Sequence, residues 1–168
     1  MLNFEIKTKI SDPDGFIKRV QSIGAVYKET MSQKDYYFEV GMNKEKVREI
    51  NNQEPCLISY KRLEKKGRKD SNYNIRTLSL EEKNLLFKQK HLLCTVDKTR
   101  QLWMYKNTRI HLDNVVGLGN FMELETVVKD ISINEGSNEF EDVVNKLKIK
   151  KEKAEPYSYS DLILASKI

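Results

Sequence analysis

Hydrophobic and polar residues alternate along much of this chain, which is the pattern expected of β-strands with one apolar and one polar face. Such strand-like runs lie within residues 2–10, 25–60, 73–79 and 92–128. Apolar positions instead recur every three or four residues in three other segments, 11–25, 80–91 and 137–149, and this spacing predicts short amphipathic helices. Strand runs joined by short turns, with helices inserted, indicate a mainly antiparallel β fold of the α+β class.

Turn and cap residues divide these runs further. GMNK at 41–44 and NNQEP at 51–55 carry turn-forming residues, so the strands on either side are expected to form hairpins. Ser11 is the expected cap of the first helix. The polar, basic stretch 63–72 is expected to be a loop.

Length and composition predict one domain over residues 1–168. A chain of this size buries roughly two-thirds of the surface that its unfolded form exposes, which is enough for a single core. Charged residues make up 33% of the sequence, so the surface or the interior is unusually ionic. No internal repeat or linker interrupts the chain.

The balance of charges favours an anionic partner. Thirty Lys and Arg against 25 Asp and Glu give a net charge of +5. The excess is modest, so a nucleic-acid partner is not favoured, and the basic run 61–69 is expected to be solvent-exposed. The N-terminus lacks the apolar core of a signal peptide and no apolar run is long enough to span a bilayer, so we expect a cytoplasmic protein without a membrane partner. Cys56 and Cys94 are isolated, which does not favour structural zinc.

Charged residues share one face of several predicted strands, because residues two apart in a strand point the same way. Glu123 and Glu125 flank Leu124 in GNFMELETVV, and like charges side by side on a strand are destabilising. The same alternation groups further candidates: Glu5 with Lys7, Lys46 with Arg48, Ser59 with Lys61, Lys98 with Arg100, and Arg109 with His111 and Asp113.

Two interpretations of this face are open. A sheet whose charged face is solvated and whose apolar face packs on helices explains any single strand. If the sheet instead closes into a barrel with the charged face inside, the buried charge requires compensation. A polyanion with a divalent metal would supply it, because cations grip phosphate oxygens and carboxylates hold Mg²⁺ or Mn²⁺. His111 lies on this face and could contact substrate, although a structural, hydrogen-bonding role is the default for such a histidine.

The same residues resemble the CYTH family, the triphosphate tunnel metalloenzymes, and within it the subgroup that is similar to class IV adenylyl cyclases. NFEIK resembles the opening ExExK motif, KVR at 46–48 the RxR-type strand, and VDKTR at 96–100 the Lys-x-Arg strand. TRIHLDNVVGLGNFMELE at 108–125 is the most specific match, and YSYSDLI at 157–163 also looks like a family segment. The family also includes thiamine triphosphatases and inorganic triphosphatases.

This resemblance implies a closed, eight-stranded antiparallel barrel whose tunnel binds a triphosphate. It implies Mg²⁺ or Mn²⁺ held by Glu5, Asp113, Glu123 and Glu125. It implies phosphate contacts from Lys7, Lys46, Arg48, Lys61, Lys98, Arg100 and Arg109. The residues expected to take part in catalysis are Glu5, Lys7, Arg48, Asp113 and Glu125.

The implied activity is metal-dependent hydrolysis of a triphosphate such as inorganic triphosphate, thiamine triphosphate or ATP, by a monomer or homodimer. The alternative is an adenylyl cyclase that converts ATP to cyclic AMP and pyrophosphate. Asn3 stands where the family motif has its first glutamate, so the chain lacks one carboxylate at the metal site. A binding module without turnover is therefore a third hypothesis. The sequence has no GxxxxGK[ST] motif, which argues against a P-loop enzyme.

Overall fold

The computed structural model describes residues 2–38, 44–65 and 67–167, and of residues 44 and 62–65 it describes the backbone alone. The described residues form eight strands and four α-helices, of which the sequence predicted the first three helices but not the fourth. The strands are β1 (Leu2–Lys9), β2 (Val26–Phe38), β3 (Lys44–Ile50), β4 (Cys56–Lys65), β5 (Arg68–Thr77), β6 (Leu92–Tyr105), β7 (Thr108–Val115) and β8 (Gly119–Val128). The helices are α1 (Pro13–Ser22), α2 (Leu80–Gln89), α3 (Ile133–Lys146) and α4 (Tyr159–Ser166).

The eight strands close into a barrel in which every neighbouring pair is antiparallel. Their order around the barrel is β1-β5-β4-β3-β2-β6-β7-β8, and β8 returns to pair with β1. Closure leaves no sheet edge, and it confirms the predicted fold.

The apolar face of the barrel points outward and is covered by helices. Phe4 and Ile6 of β1 and Leu124 of β8 pack with Phe140 of α3 and Phe16 of α1 in the largest core cluster. The charged residues that alternate with them must therefore point into the barrel. This arrangement confirms the interpretation in which the sheet closes around its charged face.

Helix α4 lies against one end of the barrel. Its Tyr159 packs edge-to-face on Phe121, with the ring centroids 5.1 Å apart, in a cluster that also contains Tyr37 and Val96. Ser158 caps this helix in a reciprocal capping box with Asp161. Apolar and aromatic side chains of this cluster therefore close the end of the barrel beneath α4.

Three local predictions require correction. Asp12, not Ser11, caps α1, because the Asp12 side chain accepts a hydrogen bond from the Gly15 amide at 3.1 Å. The expected loop at 63–72 is mostly strand, because β4 and β5 continue as a paired hairpin to residues 65 and 68. Helix α3 begins at Ile133, earlier than expected, after a capping box at Ser132.

The predicted turn at 41–44 lies almost wholly outside the described residues, since β3 begins at residue 44. None of the helices in the described ranges is both long and apolar enough to cross a bilayer.

Candidate active site

A cavity inside the barrel is lined by charged side chains from most of its strands. The described lining includes six cations and three carboxylates: Lys7, Lys46, Arg48, Lys98, Arg100, Arg109, Glu5, Glu123 and Glu125. Several of these are almost completely buried, including Lys98 at 3% and Arg100 at 4% exposed. Burying so many like charges is costly unless an anionic ligand offsets them.

Glu123 and Glu125 of this lining form a compact group with the buried His111. Strands β7 and β8 pair His111 directly with Glu123, so the histidine is held beside both carboxylates by the backbone register. Its Nδ1 lies 4.0 Å from Oε1 of Glu123 and 4.0 Å from Oε1 of Glu125. Potential ligand atoms of the three residues all lie within 4.8 Å of one another. The group could therefore hold one cation.

The two glutamates of this group differ in their electrostatic surroundings. Burial and the negative charges of Glu123 and Glu5 raise the pKa of Glu125 to about 8. Burial would also raise the pKa of Glu123, but Arg100 and Lys7 hold it well below its usual range. At neutral pH the pair thus carries close to one negative charge, and a cation would favour release of the remaining proton.

His111 is neutral in this setting. Burial, followed by the positive charge of Arg100, lowers the pKa of His111 well below its usual value. Its Nδ1 is buried and has no hydrogen-bond partner within the described part of the chain. We name His111, Glu123 and Glu125 the metal group. The sequence placed His111 on the charged face but did not assign it to a metal site.

Asp35 organises three of the lumen cations and was not anticipated from the sequence. It is fully buried on β2 and receives two 2.8 Å hydrogen bonds from Arg48. Lys46 lies 3.1 Å away and Lys98 3.7 Å away. Burial would raise the pKa of Asp35, but these cations hold it well below its usual range. Because Asp35 fixes these side chains, the lumen presents them in a defined arrangement.

The closed end of the lumen contains a second ion pair. Arg100 donates two 2.7 Å hydrogen bonds to Asp113, and the Tyr159 hydroxyl donates a third at 2.7 Å. Burial alone would raise the pKa of Asp113, but Arg100 lowers it to about 2. Burial and the repulsion by Arg100 lower the pKa of the neighbouring Lys98 to about 7. An anion bound here would favour the charged form of Lys98.

The opposite end of the cavity is more open and has apolar and aromatic walls. Arg109 is partly exposed and donates a 3.2 Å hydrogen bond to the Tyr73 hydroxyl. Ile75 lines the same cavity with 58% of its surface exposed, and Ile58 pairs with it across β4 and β5. This end is therefore the mouth through which a ligand would enter.

Most of the predicted site residues line this one cavity, but Lys61 and Asp113 are not part of its described lining. Lys61 is exposed and alternates with Tyr60, which is buried and lines the cavity, so Lys61 points away from the lumen. Asp113 does not belong to the group with His111, because its oxygens are engaged by Arg100 and Tyr159. Asp113 therefore holds the side chain of Arg100 in place.

The N-terminal strand has the predicted register. Glu5 lines the cavity and accepts a 2.9 Å hydrogen bond from Ser71, and β1 pairs it with Glu125. Asn3 lines the same cavity, and its buried Oδ1 has no hydrogen-bond partner. Asn3 therefore occupies the position in the lumen that its alternation with Glu5 and Lys7 predicted.

Residues 1–159 match the family model of the CYTH domain. The chain belongs to the CYTH family. A relative from Methanocaldococcus jannaschii, named "Putative adenylate cyclase MJ0240", is 25% identical over 158 residues, which cover 88% of this chain and 89% of the relative. The members of the CYTH family are triphosphatases or proteins similar to adenylyl cyclases.

Solved structures share the CYTH fold of this chain. The PH1012 protein of Pyrococcus horikoshii superposes with a TM-score of 0.82 at 24% identity, covering 95% of this chain and 98% of that protein. The protein HpAC1 of Hippeastrum, described as having a dominant triphosphatase activity, superposes with a TM-score of 0.67 at 11% identity. That match covers 98% of this chain and 96% of HpAC1. At these identities the likeness concerns the fold alone.

CYTH tunnel enzymes generally depend on a divalent metal, and the lumen of this chain fits one. Glu123 and Glu125 supply oxygen donors, and His111 supplies a buried nitrogen that lacks a hydrogen-bond partner. A divalent cation would reduce the repulsion between the two carboxylates and would give the histidine nitrogen a partner.

Proposed function

We propose that this CYTH protein is a divalent-metal-dependent triphosphatase that binds its substrate inside the barrel. The observation that supports the proposal is the presence, in one cavity of the barrel, of six cations able to contact phosphate beside a group able to hold a metal. Phosphoryl transfer requires chiefly positioning and neutralisation of charge, and this lumen offers both.

The cations are suited to a chain of phosphates. Lys46, Arg48 and Lys98 surround Asp35 on one side of the lumen, while Arg100 and Lys7 lie near Glu123 on another. A triphosphate has enough oxygens to contact both sets at once, whereas a single phosphate does not. Charge-assisted contacts would therefore accumulate along a triphosphate.

The depth of the cavity suggests an orientation for the substrate. The most buried cations, Lys98 and Arg100, lie toward α4, and the partly exposed Arg109 lies at the mouth. We infer that the phosphates enter first and that any organic group remains near Tyr73 and Ile75. Buried Lys98 would regain its full charge against the phosphates, which strengthens binding at this end.

The chain's own residues would carry the hydrolytic step as follows. Lys46, Arg48, Lys98 and Arg100 hold the phosphate oxygens and offset the charge that develops on them. A water molecule would be oriented by Glu125 or Glu5, the carboxylates that face each other across β1 and β8. Glu123 and Glu125, with the adjacent His111, would hold the metal. When bound, the metal would neutralise phosphate charge and polarise the phosphorus–oxygen bonds.

The direct test is a substrate panel. Inorganic triphosphate, thiamine triphosphate and ATP are incubated with Mg²⁺ or Mn²⁺, and phosphate, pyrophosphate and cyclic AMP are measured separately. Release of phosphate that stops when the metal is chelated is the expected result. Glu123→Gln should abolish it, because the substitution removes a carboxylate of the metal group. Protection against heat by triphosphate without turnover of any substrate would instead indicate a binding module.

An adenylyl cyclase is the second candidate, and one observation favours it. The mouth is walled by Tyr60, Tyr73, Ile58 and Ile75, which provide the apolar and aromatic surface that a nucleotide base requires. In that reaction the 3′-hydroxyl of ATP attacks the α-phosphorus and pyrophosphate leaves.

Product analysis separates the two candidates. Equal amounts of cyclic AMP and pyrophosphate from ATP would identify the cyclase, and phosphate from inorganic triphosphate would identify the hydrolase. Ile75→Ser should weaken ATP binding but not inorganic triphosphate binding if a base rests at the mouth. An equal effect on both ligands would count against base recognition there.

A further inference from the structure

His111 differs chemically from the other members of the metal group. The other donors are carboxylate oxygens, which hard cations such as Mg²⁺ prefer, whereas an imidazole nitrogen suits transition metals. The side chain is only 4% exposed, so its choice of partner is restricted to groups inside the barrel.

Among the residues that the structure describes, none hydrogen-bonds to Nδ1 of His111. The nearest carboxylate oxygens lie at 4.0 Å, which is beyond hydrogen-bonding distance. Buried polar nitrogens nearly always have a partner, so one without any marks a position for a ligand. The direct pairing of His111 with Glu123 across β7 and β8 keeps this nitrogen in place.

The spacing suits a shared metal ion. Bonds from first-row metals to nitrogen or oxygen are about 2.1 Å long, so two ligands on opposite sides of an ion lie about 4.2 Å apart. The 4.0 Å separations between Nδ1 and the two Oε1 atoms fall just inside this limit. Small side-chain adjustments would bring all three atoms onto one ion.

Two guanidinium groups lie near these donor atoms but beyond hydrogen-bonding distance. Arg100 lies 3.7 Å from Oε1 of Glu123, and Arg109 lies 3.7 Å from Oε2 of Glu125. Both contacts are longer than hydrogen bonds, so neither guanidinium is locked onto the carboxylate. Oε1 of Glu125 faces the histidine, on the side away from Arg109.

We propose that His111 is a direct nitrogen ligand of the catalytic divalent cation, together with Glu123 and Glu125, and that it makes the site select transition-metal ions over Mg²⁺. The inference rests on the proposed metal-dependent function of the same lumen. The preference over Mg²⁺ should increase from Mn²⁺ to Co²⁺ to Ni²⁺, because imidazole affinity follows that order.

Pulsed electron paramagnetic resonance of bound Mn²⁺ tests the ligand directly. The chain has just two histidines, so His91→Gln is a matched control for His111→Gln. Wild type and His91→Gln should both show ¹⁴N modulation from a coordinated imidazole, and His111→Gln should show none. Labelling the His91→Gln protein with ¹⁵N-histidine should replace the ¹⁴N signal by one from ¹⁵N.

Competition titration of Mn²⁺ against Mg²⁺, without substrate, tests the selectivity. His111→Gln should reduce the ratio of the two affinities by about tenfold or more, since even the loss of an outer-sphere partner costs that much. Co²⁺ and Ni²⁺ should lose more affinity than Mn²⁺ in the same variant. If His111→Gln does not fold, the ¹⁵N signal of the labelled His91→Gln protein still shows whether His111 coordinates the metal.

Bound Mn²⁺ without ¹⁴N modulation, an unchanged affinity ratio, or no binding of Mn²⁺ would each overturn the inference. Its failure can be told from that of the proposed function. A protein that hydrolyses triphosphate with Mn²⁺ but shows no nitrogen coupling would refute the role of His111 alone. Nitrogen-coordinated Mn²⁺ in a protein that turns over no triphosphate would refute the proposed function and leave the ligand assignment intact.

Discussion

Replacement of the buried Asp35 should lower the free energy of unfolding, because Asp35 is the counterion of several cations in the lumen. Asp35→Asn keeps the shape of the side chain and removes its charge. It leaves Arg48, Lys46 and Lys98 without the carboxylate that now lies 2.8, 3.1 and 3.7 Å from them. These three cations would then repel one another without the counterion that they share.

The expected loss of stability can be estimated from this geometry. Removal of one partner from a buried ion pair typically costs about 3–5 kcal/mol, because the other charge stays buried and uncompensated. Each kcal/mol lowers the melting temperature of a domain of this size by about 2–4 °C, so a fall of about 6–20 °C is expected. Inorganic triphosphate should restore more stability to the variant than it adds to wild type, since the anion replaces the missing charge.

Denaturant unfolding at pH 7, followed by the fluorescence of Trp103, measures this loss. Trp103 is the single tryptophan and is buried against Tyr27, with the ring centroids 5.4 Å apart. Asp97→Asn is the matched control, because Asp97 is exposed on β6, and it should change the free energy of unfolding by less than about 0.5 kcal/mol. A loss below about 1 kcal/mol for Asp35→Asn would refute the view that this carboxylate compensates the lumen.

The difference in free energy of unfolding between wild type and Asp35→Asn should depend on pH, because the pKa of Asp35 is lowered in the folded protein. A carboxyl whose pKa is lower in the folded protein contributes its full stability above the unfolded value of about 3.9. That contribution is lost as the pH falls toward the folded pKa. The gap in stability between wild type and Asp35→Asn should therefore be fully present at about pH 5 and narrow below about pH 4.

Three further substitutions test other parts of the site. Glu125→Gln should stabilise the metal-free protein relative to wild type, and the stabilisation should grow from about pH 4.3 to pH 8. The raised pKa of Glu125 makes wild type lose stability over that range, whereas the glutamine does not titrate. Thermal melts across this pH range measure the difference. Lys46→Met should weaken inorganic triphosphate binding by about tenfold or more in calorimetry but alter phosphate binding little, since charge-assisted contacts contribute about 1.5–3 kcal/mol each. Asn3→Glu should lower the Mn²⁺ concentration needed for half-saturation, because it adds a carboxylate to the lumen.

Each of these three predictions can be contradicted by a specific result. A stabilisation by Glu125→Gln that is the same at pH 5 and pH 8 would show that the carboxylate pair does not hold a shared proton. Lys61→Met is the control for Lys46→Met, and equal losses in the two variants would contradict the outward position of Lys61. Unchanged Mn²⁺ binding in Asn3→Glu would mean that position 3 does not reach the metal group.

Period-two alternation determined much of this protein from its sequence. It placed Glu5 and Glu123 on charged faces opposite apolar residues, and the structure confirms these faces on β1 and β8. The reason is physical: where one face of a strand is apolar, a shift by one residue would expose the core, so the orientation is unambiguous. The specific motifs of residues 108–125 also identified the family before any geometry was known.

Tertiary structure decided what local patterns left ambiguous. The faces of β4 could not be told apart, because LISYKR carries apolar or aromatic residues on both, and only closure of the barrel turned Tyr60 inward and Lys61 outward. Asp35 became a buried counterion because the register of β2 and β3 sets it opposite Arg48. His111 joined the metal group because β7 pairs with β8 beside it. These roles depend on partners distant in the chain, and a strand's own alternation contains no information about which strand will lie next to it.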